Sequence, residues 1–185
     1  PVAAMGIAQK IYQVPTNIAL GLSQGIMPLI SYNYASGNVK RMKGVLLYAI
    51  RAAMVFTVTV AVAYFSFSDF FIRLFMNNES VIAYGSRFLH GFSLGIPFLC
   101  LDFIAVGVFQ ATGMGRHAFL FAVLRKIVLE IPALCLLNML FPLYGLAYAQ
   151  FTAEIFLATT AVIVLVRLFR KLQRRNGGSK TASQS

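Results

Sequence analysis

The sequence predicts an all-α integral membrane protein with five transmembrane helices. The chain of 185 residues is 59% hydrophobic and 11% charged, whereas soluble domains are about half apolar and about a quarter charged. Its mean hydropathy is +0.77. Apolar segments near the roughly 20 residues that cross a bilayer recur along the chain, and basic side chains cluster at their ends, as at cytoplasmic membrane boundaries.

The five predicted spans are joined by short polar segments. The first span is predicted to tilt or kink at Pro15, because proline removes a helical hydrogen bond. The segment 68–87 carries both signs of charge, and within it residues 70–76 are predicted to lie along the membrane interface. The spans are predicted at about residues 2–34, 45–67, 88–112, 118–141 and 146–168.

Small and polar residues form a stripe on the first span. Gly21 and Gly25 make a G-x-x-x-G pair, which lets another helix approach closely in lipid. Gln24, Pro28 and Ser31 follow at spacings of four and three, so they share the face of the first glycine. Polar groups inside a bilayer are costly unless they face a partner or a water-filled cavity. We therefore expect one side of this helix to face lipid and the other to have a function.

The end of the first span carries the clearest motif. Asn33 and Gly37 are residues that end helices, and a basic cluster follows at residues 40–43. Residues 21–38, GLSQGIMPLISYNYASGN, resemble the second helix of a half-transporter in the multidrug and toxic compound extrusion family. Members of that family have the same Gly-Leu-Ser-Gln-Gly, proline and Ser-Tyr-Asn-Tyr elements before a glycine-containing turn.

Two further motifs carry the same resemblance. Residues 109–113, FQATG, are similar to the end of the family's tenth helix, and Gly113 closes that motif. Arg125, followed by Pro132, is similar to the start of its eleventh helix. We expect Arg125 to anchor its helix near the cytoplasmic headgroups. A second G-x-x-x-G pair, Gly91 and Gly95, precedes the FQATG motif and predicts another close helix contact.

Two carboxylates fall inside predicted spans. Asp102 lies in the middle of the third span, where a charge marks a functional group, a structural pair or an upward-facing solvated site. It does not match the position of the ion-binding aspartate that some family members have, so no role is carried over to it. Gln150 and Glu154 resemble the family's Ala-Gln-Pro-x-x-Asp/Glu element, with Phe151 in place of the proline. Glu154 must face inward or find a partner.

The resemblance implies a fold of twelve helices in two six-helix lobes related by an internal repeat. Residues 1–170 would then form most of the C-terminal lobe, without its first helix, and residues 171–185 a basic, disordered cytoplasmic tail. The first residue is Pro1, which suggests the later part of a longer protein whose N-terminal lobe is missing. The positions of the basic clusters predict an external start and a cytoplasmic C-terminus.

The implied activity is secondary active efflux of amphipathic, often cationic, drugs across a bacterial plasma (inner) membrane, in exchange for H⁺ or Na⁺ and without a cofactor. Two alternatives stay open: a flippase for lipid-linked saccharides, and a non-transporting membrane subunit. The candidate pathway residues are Gln24, Ser31, Asp102, Gln110 and Glu154. The residues expected to shape the helices are Gly21, Gly25, Pro28, Asn33, Gly91, Gly95, Gly113, Arg125 and Pro132.

Other function classes find little support in the sequence. The net charge of +11 comes from cations at helix ends and in the tail, which argues against nucleic-acid binding. Cys100 and Cys135 lie inside apolar runs, and His90 and His117 are isolated, so neither a disulfide nor a metal site is expected. The chain also lacks a phosphate-binding loop and a G-x-S-x-G element, and we predict that it is not an enzyme.

Overall fold

The computed structural model describes residues 2–123, 127, 131–132 and 145–182. Within these ranges the regular structure is helical, with no strand, which confirms the predicted all-α class. The helices are α1 (Val2–Ala35), α2 (Val39–Ser66), α3 (Ser68–Arg73), α4 (Glu79–Ala111), α5 (Gly115–Val123) and α6 (Gly145–Ala182).

The described residues contain three helices long and apolar enough to cross a membrane, not the five that the sequence predicts: Val39–Ser66, Glu79–Ala111 and Gln150–Arg174. The first predicted span does form a helix, α1, of 34 residues. Its many polar side chains make the mean hydropathy of its most apolar stretch lower than that of the corresponding stretches in the three membrane-length helices. The fourth predicted span, 118–141, lies largely outside the described residues.

Helix α4 lies at the centre of the bundle. Of its most apolar window, 67% is buried, against 22% for α2 and 33% for the span in α6. Among the described residues, it contacts each of the other five helices. It begins at Glu79, earlier than the predicted residue 88, because Asn78 caps it: the Asn78 Oδ1 accepts hydrogen bonds from the amides of Ser80 and Val81. The first part of the predicted interfacial segment, residues 70–73, lies in the short helix α3, and its position at the membrane interface stays a prediction.

Helices α1 and α4 run parallel and stay in register. Three contacts join a residue of α1 to the residue 80 positions later in α4, and such a constant offset requires parallel helices. The contacts therefore extend along most of both helices, which makes this pair the structural core of the described chain. The three pairs are Tyr12–Phe92, Ser23–Phe103 and Ser31–Ala111.

The same glycine turn ends α1 and α4. Gly37 and Gly113 have φ angles of +70° and +75°, which side chains with a Cβ rarely adopt. After each glycine, the next amide donates back to a carbonyl five residues earlier: Asn38 to Asn33 at 2.9 Å, and Met114 to Phe109 at 2.8 Å. This is the Schellman arrangement, in which a left-handed glycine satisfies the last carbonyl groups of a helix.

Proline does not interrupt α1, which is helical through Pro15 and Pro28. Pro15 has no amide hydrogen, so the carbonyl of Ile11 loses its helical donor. The hydroxyl of Tyr64, on α2, donates to that carbonyl at 3.2 Å. A neighbouring helix thus supplies the hydrogen bond that proline removes, as the interior of a membrane requires.

Replacing Tyr64 with phenylalanine should destabilise the protein by about 1 kcal/mol, because the Ile11 carbonyl would be left buried without this donor. Thermal unfolding of the whole protein in detergent measures the effect. Tyr48→Phe removes a hydroxyl from a side chain that is 77% exposed, and should leave the melting temperature unchanged. Equal melting temperatures for the two variants would contradict this account of Pro15.

Helix α6 continues to Ala182, beyond residue 170, where the sequence predicts a disordered tail. The basic stretch that ends the predicted span favours helix, and two of its apolar residues have partners: Phe169 and Leu172 are buried in the core that includes Leu46 and Met42 of α2. The helix therefore extends past the apolar span. The division of the chain at residue 170 stays a prediction.

Candidate functional site

Helix α1 has two unlike faces. One face packs into the core through buried residues that include Ala19, Ser23 and Ile30. A helical turn of 3.6 residues places the opposite stripe away from that core. We call this stripe the α1 polar face; its members are all exposed, and they are Gln13, Asn17, Gly21, Gln24 and Pro28.

The G-x-x-x-G pair of α1 does not form the expected close contact within the described chain. A Cβ added at Gly21 or Gly25 would meet no other atom within 4 Å. The close crossing of α1 and α4 lies elsewhere, at Gly107. A Cβ there would overlap the Ser23 Oγ and lie 3.3 Å from the Ser23 carbonyl oxygen. The Ser23 hydroxyl also donates to the Phe103 carbonyl at 2.6 Å, so this crossing combines close packing with a hydrogen bond.

Ser31 and Asn33 have structural hydrogen bonds. The Ser31 hydroxyl donates to the Ala111 carbonyl of α4 at 2.9 Å, which joins the ends of the two helices. Asn33 is buried, and its Nδ2 donates to the Leu29 carbonyl at 2.7 Å. Gln110, one residue before Ala111, is exposed. Of the polar candidates, Gln24 and Gln110 therefore present free surface, whereas the Ser31 hydroxyl holds the helices together.

The two candidate carboxylates are both buried, Asp102 at 2% and Glu154 at 3% exposure. Glu154 lies where α6 crosses α4, since its Cγ would be 3.8 Å from a Cβ at Gly95. Phe98 and Phe151 contact each other at the same crossing, with ring centroids 6.1 Å apart. Asp102 stands two turns after Gly95 on α4, which is about 10 Å along the helix. The structure thus places Glu154 at the crossing and Asp102 further along α4.

A polar cluster that the sequence does not predict lies at the other end of α4. The ring of His90 stacks on Phe65 with centroids 4.5 Å apart, and its Nε2 is 2.9 Å from the Ser68 Oγ. The Ser86 hydroxyl donates to the Asp69 carboxylate nearby. These residues come from three helices, so no spacing in the sequence brings them together. In sequence, His90 is simply isolated.

The remaining predicted positions are less informative. Arg125 and Cys135 lie outside the described residues, and Pro132 is described and exposed. Gly91 is buried in α4, as expected for a packing residue. Cys100 is a buried free thiol. Among the described residues, no three His, Cys, Asp or Glu side chains are grouped so that they could hold a metal ion.

A bundle of membrane-length helices, with one polar face and two buried carboxylates, is typical of a multi-pass membrane transporter. The model of the MatE family matches residues 1–136. The chain belongs to this family, the multidrug and toxic compound extrusion transporters, and the resemblance of residues 21–38 is confirmed. Members of the family are transporters rather than enzymes.

Curated relatives are similar over most of this chain. The multidrug export protein MepA of Staphylococcus aureus (strain MRSA252) is 32% identical over 171 residues, which cover 92% of this chain and 38% of the relative. MepA of Staphylococcus saprophyticus is 30% identical over the same shares of the two chains. The chain thus spans about 38% of the length of these relatives.

Solved structures show the same fold. An inward-facing multidrug resistance MATE transporter superposes with a TM-score of 0.84 at 17% identity, over 90% of this chain and 39% of its own. The outward-facing conformation of a multidrug resistance MATE transporter superposes with a TM-score of 0.75 at 15% identity, over 93% of this chain and 44% of that transporter. The eukaryotic MATE transporter AtDTX14 superposes with a TM-score of 0.72 at 20% identity, over 94% of this chain and 39% of that transporter.

Proposed function

We propose that this chain forms part of a multidrug exporter and that the α1 polar face lines its transport pathway. One observation carries the proposal: Gln13, Asn17 and Gln24 are exposed on the face of α1 opposite the core. Amide side chains at membrane depth are costly against lipid, so this face needs water or a second protein surface beside it. A water-filled cavity meets that need and gives amphipathic cargo polar partners.

The second surface that would close this cavity is proposed to be an N-terminal lobe. The relatives are much longer than this chain, and transporters of this kind alternate by moving one half against the other around a central site. The crossing of α1 and α4 is closely packed, so we expect these two helices to move as one body. We also propose that the protein lies in the bacterial inner membrane, with the start of this chain outside and its C-terminus in the cytoplasm.

Exchange against H⁺ or Na⁺ is proposed to use the buried carboxylates. A carboxylate in a site of low dielectric constant is much easier to bury when it is protonated or paired with a cation. Binding of the ion to Glu154 or Asp102, which are 3% and 2% exposed, would therefore favour the conformation in which each is most enclosed. Loss of the ion would favour the other conformation, and drug binding would couple to that equilibrium.

The test is efflux of ethidium from cells that produce the whole protein. A protonophore or a sodium ionophore should abolish efflux, and which of the two acts identifies the coupling ion. As a control, ATP is kept at its normal level while each gradient is collapsed. Efflux that continues with both gradients collapsed and stops on ATP depletion would contradict secondary transport.

A further inference from the structure

A groove separates α2 from α6 at the end of the bundle where the basic clusters lie. Its volume is about 440 Å³. Leu46, Leu165 and Phe169 form its floor, since all three are less than 9% exposed. Leu47 and Val166 form its walls and are 43% and 44% exposed. The groove is therefore open on one side, and the residues of its floor and walls are apolar.

Cations stand at one end of this groove. Lys43 of α2 and Arg170 of α6 line it beside the apolar residues. Arg170 also lines a second cavity, whose described lining is entirely basic, with Arg167, Lys171 and Arg174. Because α2 and α6 are antiparallel here, Lys43 and Arg170 share the end, while Ile50 and Val162 lie deeper. The surface thus changes from positive to apolar within about 10 Å of helix.

We propose that this groove is a binding site for one anionic phospholipid. The phosphate of the headgroup would be held by Lys43 and Arg170, and one acyl chain would lie along Leu46, Leu165 and Phe169. Charge complementarity is the main argument, since basic side chains at a membrane surface attract anionic lipids, and pockets of this kind between helices bind lipid headgroups. The groove itself gives the acyl chain contacts that a smooth helix surface would not.

This inference goes beyond drug export and does not depend on it. The site lies between α2 and α6, whereas the proposed drug pathway lies along the α1 polar face. The groove spans two helices that otherwise have few contacts with each other, so a lipid bound there would hold them together. We therefore expect the bound lipid to stabilise the helical packing as well as to be retained.

The test titrates the whole purified protein, in a neutral detergent, with phosphatidylglycerol or phosphatidylcholine carrying identical oleoyl chains. Native mass spectrometry measures the affinity of the first bound lipid. Phosphatidylglycerol should bind at least about tenfold more tightly, and Lys43→Gln combined with Arg170→Gln should remove that preference. Lys40→Gln combined with Arg41→Gln removes the same amount of charge from residues that do not line the groove. This variant should keep the preference for phosphatidylglycerol.

A second variant separates the acyl chain from the headgroup. Val166→Trp fills the groove and keeps every charge, so it should weaken phosphatidylglycerol binding as strongly as loss of the two cations does. Glycerol 1-phosphate, which has the charge but no acyl chain, should bind far more weakly than the lipid. Equal affinity of the unchanged protein for the two lipids would overturn the proposal. So would an equal loss of phosphatidylglycerol affinity in the Lys43/Arg170 variant and in the Lys40/Arg41 variant. So would unchanged binding to Val166→Trp.

Discussion

Replacing Gly107 with alanine should destabilise the protein by about 1–3 kcal/mol, as expected for overpacking at a close helix contact. The new Cβ would overlap the Ser23 Oγ and press on the Ser23 carbonyl oxygen, 3.3 Å away. The serine could avoid the overlap only by turning its hydroxyl away from the Phe103 carbonyl. Thermal unfolding of the whole protein in detergent measures the loss.

The glycines of the G-x-x-x-G pair are the matched controls. Gly21→Ala and Gly25→Ala add the same methyl group to α1, where nothing lies within 4 Å of it. Because alanine favours helix over glycine, these two variants should be neutral or slightly stabilised. Ser23→Ala should recover part of the stability lost in Gly107→Ala, since it removes the overlapping oxygen. Loss of stability in Gly21→Ala, with none in Gly107→Ala, would contradict the observed crossing.

Glu154→Gln should reduce drug efflux by at least about tenfold while the amount of protein in the membrane stays normal. The substitution keeps the size and shape of a side chain that is 3% exposed but removes its ability to bind a proton or cation. On the proposed mechanism the exchange then loses one coupling site. The measurement is ethidium efflux, normalised to the protein in purified membranes.

Two outcomes limit the role of Glu154. If membrane abundance and melting temperature fall together with efflux, the carboxylate is a structural group rather than a coupling site. If efflux is unchanged at normal abundance, Glu154 has no part in transport. Thr160→Val, on the same helix, is the control, because its exposed hydroxyl only donates to the Phe156 carbonyl; it should have no effect on efflux.

Local signals in the sequence predicted where helices end and which class of protein this is. Gly37 and Gly113 mark true helix ends because only a residue without a Cβ adopts their backbone angles easily. Hydropathy placed the ends of α2 and α4 within one residue of the observed ends. It did not place the start of α4, since Asn78 caps a polar first turn that hydropathy alone excludes. The extension of α6 also depends on tertiary contacts of Phe169 and Leu172.

The partners of polar side chains were harder to predict. Gly21, Gln24 and Pro28 are all exposed on α1, as their helical spacing predicts. Ser31, predicted to share their face, is half-buried and donates to the Ala111 carbonyl of α4. The sequence could not show that Ser23, rather than Gly21, contacts α4, since that depends on the rotation and register of two helices. The same limit applies to Tyr64 and Ile11, which are 53 residues apart, and to the cluster around His90.

If the α1 polar face lines a water-filled drug pathway, cysteines at two adjacent residues of α1 should differ in their accessibility to water. Asn17 and Ile18 lie at the same depth, and both are exposed, but they point about 100° apart around the helix. In a cysteine-free whole protein, Asn17→Cys should react with a water-soluble thiol reagent, and ethidium should protect it. Ile18→Cys should not react. Equal reactivity at both positions, or reaction at residue 18 alone, would contradict the account.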